Sequence, residues 1–136
     1  MRVALRLAAG VALFGTAIGA VAGEFDGSKP VLCAAVEAVE CQARQECVQG
    51  PADIVNLPVF FRIDFQEKTV TTTKESGEKR TSRILNTTTD AGTLVLQGAE
   101  QDTGWSIAIN EVNGKMTLGT AAEGVAYIVF GACTPL

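Results

Sequence analysis

The chain has 136 residues, enough for one domain, with 11 Lys+Arg against 15 Asp+Glu and a net charge of −4. It contains no histidine, which removes the commonest general base and every Ser-His-Asp or Cys-His arrangement. Its nearest approach to a basic block, Glu78-Lys79-Arg80, is mixed and flanked by acids. Counterion release on a nucleic acid therefore has no footprint, and nucleic acid is not an expected partner.

Residues 1–22 read as a secretory signal peptide. Arg2 and Arg6 form the positive start, Leu7 to Val21 is an apolar run rich in Gly and Ala, and Ala20-Val21-Ala22 gives the small-x-small pattern before Gly23. The run is shorter than the ~20 apolar residues a membrane span requires, so cleavage rather than stable membrane insertion is expected. Loss of Arg2 and Arg6 takes Lys+Arg from 11 to 9 against 15 acids, and this acidity reads as solubility. Residues 23–136 are then a single domain of the periplasm or of a secreted protein.

All four cysteines lie beyond that segment, at Cys33, Cys41, Cys47 and Cys133. An even number in an exported chain implies two disulfides, for which three pairings exist. The short interval between Cys41 and Cys47 suits a link across a turn, which leaves Cys33 with Cys133. The intervals include no close CxxC pair and no histidine stands nearby, so no metal site and no cofactor are expected.

Gly23 to Lys29 is polar and Gly-rich and reads as a flexible start. Pro30 to Gln42 is ambiguous: Leu32, Val36 and Val39 fit a helical stripe, yet a strand here would lie naturally beside the last strand if Cys33 bonds Cys133. Glu46 to Gln49 reads as a short strand, and Asp53 caps at most one helical turn before Pro58 stops it. Val59 to Phe65 alternates, with Phe61, Ile63 and Phe65 on one face and Phe60, Arg62 and Asp64 on the other. Thr69–Lys74 and Thr81–Thr89 are β-branched strands around a turn at Glu75–Lys79. Four more follow: Thr93–Ala99, Thr103–Asn110, Lys115–Thr120 and Val125–Phe130. Turn signals between them lie at Gln101-Asp102, Asn113-Gly114 and Glu123-Gly124.

Eight or so short strands joined by short turns predict an all-β antiparallel fold, an up-and-down barrel whose closure removes exposed edges. A two-sheet β-sandwich is the alternative. The last strand is apolar on both faces and predicts cover for its outer side from the N-terminal segment or a partner.

Candidate chemistry is sparse. Arg62 and Asp64 share a face with Phe60, and this trio is the candidate binding site for a polar ligand or a protein partner; a solvated outer wall is the plainer reading of the same alternation. Glu37 and Glu40 make a carboxylate pair only on a helix and are otherwise surface charge. Trp105, the sole tryptophan, shares a face with Ile107 and Ile109 and reads as core, with a ligand-cavity floor as the functional alternative. Asn86-Thr87-Thr88 matches a glycosylation sequon. The expectation is thus an exported, non-catalytic binding or inhibitory module acting on an envelope protein or a small ligand. A carboxylate-dependent hydrolase or lyase using Asp64, and a structural subunit of an envelope assembly, are the alternatives.

Overall fold

Alternation of apolar and polar residues in most of the strands turns one face of each inward, and eight strands close on themselves around that face. The computed structural model describes residues 24–73 and 79–136; residues 1–22, the expected signal peptide, and most of the Glu75–Lys79 turn lie outside the described residues. Among the described residues the strands are β1 (Val31–Gln42), β2 (Val48–Gly50), β3 (Phe60–Asp64), β4 (Thr69–Thr72), β5 (Thr81–Asp90), β6 (Thr93–Glu100), β7 (Thr103–Asn110), β8 (Lys115–Ala122) and β9 (Val125–Pro135). All neighbours pair antiparallel, in the order β2-β1-β3-β4-β5-β6-β7-β8-β9, and β1 also pairs β9. That last pairing closes an eight-stranded up-and-down barrel, with β2 as an extra strand outside the ring. It is a barrel, not a sandwich.

β1 shows why Pro30 to Gln42 could not be assigned from propensity. Its alanines and glutamates favour helix, but the whole segment is committed by pairing: Val31 to Gln42 runs against Pro135 to Val125. Tertiary pairing overrides the local preference. On its other side β1 pairs β3 through Val31–Ala34 and β2 through Ala38–Glu40. Between those two stretches the wall is completed by a single 3-10 turn, Ala52–Val55, whose Ala52 and Val55 are buried. The turn carries Asp53 in its first turn but has no side-chain cap.

The register stacks the interior in rows. Leu94, Ile109, Met116, Gly131 and Ala35 lie side by side across five strands, and Leu96, Ile107, Leu118, Val129 and Ala38 form the next row up. Most of these are fully buried, including Leu94, Leu96, Ile107, Ile109 and Val129. The lower half of the barrel is thus filled with aliphatic side chains.

Residues 24–29 are not a loose start. Phe25 is buried in the core, its N–H donates to the Glu111 carbonyl at 3.3 Å, and its ring covers the lower opening. Gly114 is the reason the ring fits: a Cβ there would lie 2.5 Å from Phe25, and its φ of +68° suits glycine. Beyond Phe25, hydrogen bonding by the Ser28 side chain, and then by the Ser28 N–H, which reaches Asp26 Oδ1 at 2.9 Å, holds that carboxyl below its ordinary pKa.

The expected cover of β9's outer face does not come from residues 31–42. Its outward-facing Ile128 and Phe130 are 41% and 44% exposed. The N-terminal segment docks on β9 edge to edge as β1, satisfying backbone hydrogen bonds rather than burying β9's outer side chains.

The disulfides join Cys33 to Cys133 and Cys41 to Cys47. Cys33 and Cys133 face each other directly in register inside the barrel, cross-linking the strands that close it. Two disulfides belong to a non-reducing, extracellular-type environment. Among the described residues no helix is long and apolar enough to cross a membrane.

Candidate functional site

Above the two aliphatic rows the character of the interior changes. The next row in register is Gly98, Trp105, Thr120, Tyr127 and Glu40, on β6, β7, β8, β9 and β1. Here the barrel is hollow. A cavity of about 570 Å³ opens at this end, bounded below by Ile107 and Leu118 and at the sides by Trp105, Tyr127, Phe61 and Leu57. That volume lies within the ~300–1,000 Å³ of typical small-molecule sites.

Trp105 sets the boundary between filled and hollow halves. Its indole lies over Gly98, where an added Cβ would come within 2.1 Å of the ring, and its N–H donates to Ser82 Oγ at 2.8 Å. The indole's only polar atom is thereby satisfied across the barrel wall, leaving the ring to line the cavity as apolar surface. Gly98→Ala should displace the ring, because the new methyl also meets the Arg83 carbonyl at 2.5 Å. We expect a loss of about 1–3 kcal/mol in urea unfolding and a changed Trp105 near-ultraviolet circular dichroism signal.

Glu40 is a residue that sequence reasoning placed on the surface. A β-bulge between Ala35 and Glu37 inserts Val36 as an extra residue, and Val36 points outward at 66% exposure. The inward positions therefore switch from Val31, Cys33 and Ala35 to Ala38, Glu40 and Gln42. Ala38 is fully buried, and two residues on Glu40 lines the cavity, with Oε1 accepting a 2.6 Å hydrogen bond from the Gln42 side chain. Glu37 instead stays outside, where its carboxylate accepts from the Gln49 amide. The pair Glu37 and Glu40 is thus split between two faces. Arg80, just before β5, and Glu100, at the end of β6, complete the charged groups lining the mouth.

Phe60, Arg62 and Asp64 lie together on the outer wall of β3, while Phe61 and Ile63 between them are buried. Arg62 Nη2 and Asp64 Oδ2 form an ion pair at 3.1 Å, and Asp64 Oδ1 also accepts from the N–H groups of Gln66 and Glu67. Asp64 therefore organises the β3–β4 turn. With the Arg62 side chain half exposed, the pair contributes at most about 1 kcal/mol. A shallower groove of about 360 Å³ runs beside them over Thr69, Thr71 and Lys79. No second carboxylate lines it among the described residues, so Asp64 lacks the facing acid that a glycosidase-type mechanism uses. No group of residues suited to hold a metal ion occurs among the described residues.

The sequence signal that pointed to the mouth was present but faint: a lone tryptophan on an alternating strand, with a glycine inside the neighbouring strand. Comparison with known proteins adds no name to this geometry: no family model, no curated protein and no solved structure matches the chain.

Proposed function

We propose that this protein is an exported, non-catalytic binding module whose barrel mouth holds a small, largely apolar molecule, and that it works in the periplasm or as a secreted protein. One observation carries this reading: a cavity of about 570 Å³ sits on a filled aliphatic floor, with Trp105, Tyr127 and Phe61 on its walls and polar groups such as Thr120 and Glu40 among them. Small-molecule sites combine an apolar body with a few orienting polar groups in this way. The two disulfides suit such a role, since a stapled barrel keeps its mouth open without a ligand to prop it. The absence of histidine from the sequence and the place of Asp64 in a turn favour binding over catalysis.

A neutral, flat probe tests this. N-phenyl-1-naphthylamine, which fluoresces in apolar surroundings, should bind at one site per chain and quench Trp105 emission by energy transfer. Thr120→Phe, which puts a ring into the mouth from the row of Trp105 and Tyr127, should weaken binding by more than about tenfold. Probe binding that Thr120→Phe leaves unchanged, or no binding up to the probe's solubility, would contradict the reading.

A further inference from the structure

We propose that the natural ligand of this mouth is an organic cation, an apolar body carrying an ammonium or similar group, with its apolar body against Trp105 and its charge beside Tyr127 and against Glu40. This rests on the mouth being a ligand site at all, and it adds the charge of the ligand. The cavity and its rings define the space; the disposition of the charges around it selects the sign.

Three neighbouring pairs fix the wall. Trp105 lies opposite Thr120, Thr120 opposite Tyr127, and Tyr127 opposite Glu40. Directly opposed residues point to the same side of a sheet, here the inside. Trp105 and Tyr127 are two strand spacings apart, about 10 Å along the wall. The indole itself turns the other way, over Gly98 toward Ser82 on β5, and so faces the ligand's apolar body, while Glu40 and Tyr127 stand directly opposite each other, which puts a cation held by Glu40 within the ~6 Å reach of a cation–π contact with the Tyr127 ring. The indole N–H is already bonded to Ser82, so Trp105 offers this ligand its π surface and no donor. Thr120, opposite both residues in register, is small enough to leave the space open.

The charges around the rim are unevenly placed. Arg80 immediately precedes β5 and Glu100 ends β6, so these opposite charges stand on adjacent strands and offset one another. Glu40 stands on β1, four strands round the ring from β6. Its carboxylate has the Gln42 amide as a hydrogen-bond donor and no cationic partner within ion-pair distance among the described residues. A carboxylate beside a low-dielectric cavity attracts a cation more strongly than one in open water, and it repels an anion by the same amount. The chain's net charge of −4 acts in the same direction at long range. A fatty acid or aromatic acid would have to place its carboxylate on the Arg80 side, where Glu100 already stands. An ammonium ligand meets Glu40 and the adjacent Tyr127 ring together.

Three ligands of one shape and different charge decide the matter by calorimetry on the full chain: (2-naphthylmethyl)trimethylammonium, 2-naphthylmethanol and 2-naphthylacetate. The ammonium should bind at least about tenfold tighter than the acetate, with the alcohol between them. Glu40→Gln keeps the hydrogen bond to Gln42 within reach but removes the charge; it should cost the ammonium about tenfold and leave the alcohol unchanged. Tyr127→Leu should weaken the ammonium more than the alcohol. Equal or tighter binding of the acetate, or a Glu40→Gln effect shared by all three ligands, would overturn the cationic assignment. If N-phenyl-1-naphthylamine still binds at Trp105 in that case, the mouth remains a ligand site and only the charge assignment falls; if that probe also fails, the binding function falls with it.

Discussion

Replacing Cys33 and Cys133 together by alanine is expected to lower stability by about 4–5 kcal/mol, the largest effect of any change short of unfolding the core. The two residues are 100 apart in sequence, and a cross-link over that length restricts the unfolded chain far more than one over a short loop. They are also the register pair that fastens β1 to β9, the seam on which closure depends. A domain of this size should lose roughly 15–30 °C in melting temperature as a result. The same double substitution at Cys41 and Cys47, only 6 residues apart, should cost about 2 kcal/mol. Urea titrations of the two double variants, with the wild type, measure the difference. Equal losses from both would show that the long link is not what holds the seam.

The second large effect is expected at the floor of the mouth. Ile107 is 1% exposed, in the row of Leu96, Leu118, Val129 and Ala38, and its upper side borders the cavity. Ile107→Ala removes core contacts and leaves a void that neighbours on rigid strands fill poorly, for a cost of about 2–5 kcal/mol. Because the new space adjoins the existing cavity, the variant should also accept a bulkier apolar ligand than the wild type. Val112→Ala, at a 79% exposed turn position, should change stability by less than about 0.5 kcal/mol and serves as the reference. A cost at Ile107 as small as that at Val112 would mean that the floor is not packed.

Residue alternation carried most of the fold. The strands from Thr93 to Phe130 are legible because most alternate cleanly and the turns between them hold residues that accept a left-handed backbone, at Gln101, Gly114 and Gly124. β1 was not legible in that way. Its twelve residues satisfy a helical stripe as well as a strand pattern, and only the β9 partner, a hundred residues away, resolves the conflict.

The candidate site was less legible, for two physical reasons. The bulge at Val36 reverses the inward parity of β1, so Glu40 enters the mouth although the alternation begun at Cys33 puts it outside. Bulges leave no reliable mark in a single sequence. The second reason is that a hollow and a filled layer use similar residues. Trp105 looks like core because it is core on one side, where it rests on Gly98, and cavity wall on the other. Phe60, Arg62 and Asp64 illustrate the converse: their alternation is clear, and it places them on the outer wall, where Asp64 shapes a turn.

The exposed Ile128 and Phe130 follow from the same geometry. β9 must be apolar inward to meet Leu118 and the floor, and its backbone is fully occupied by β8 and β1. Nothing in those pairings requires its outer face to be polar.

The claim on which the rest depends is that the barrel is hollow only at its upper end and receives a molecule there. Trp105 supplies a single indole N–H resonance, and following it with the backbone amides by nuclear magnetic resonance during titration with N-phenyl-1-naphthylamine tests the claim most directly. The expected result is a saturable shift of the Trp105 indole together with the amides of Thr120, Tyr127 and Glu40, while Arg62, Asp64 and Thr71 on the outer wall stay in place. Shifts confined to that outer wall, or an unmoved Trp105 at saturation, would contradict it.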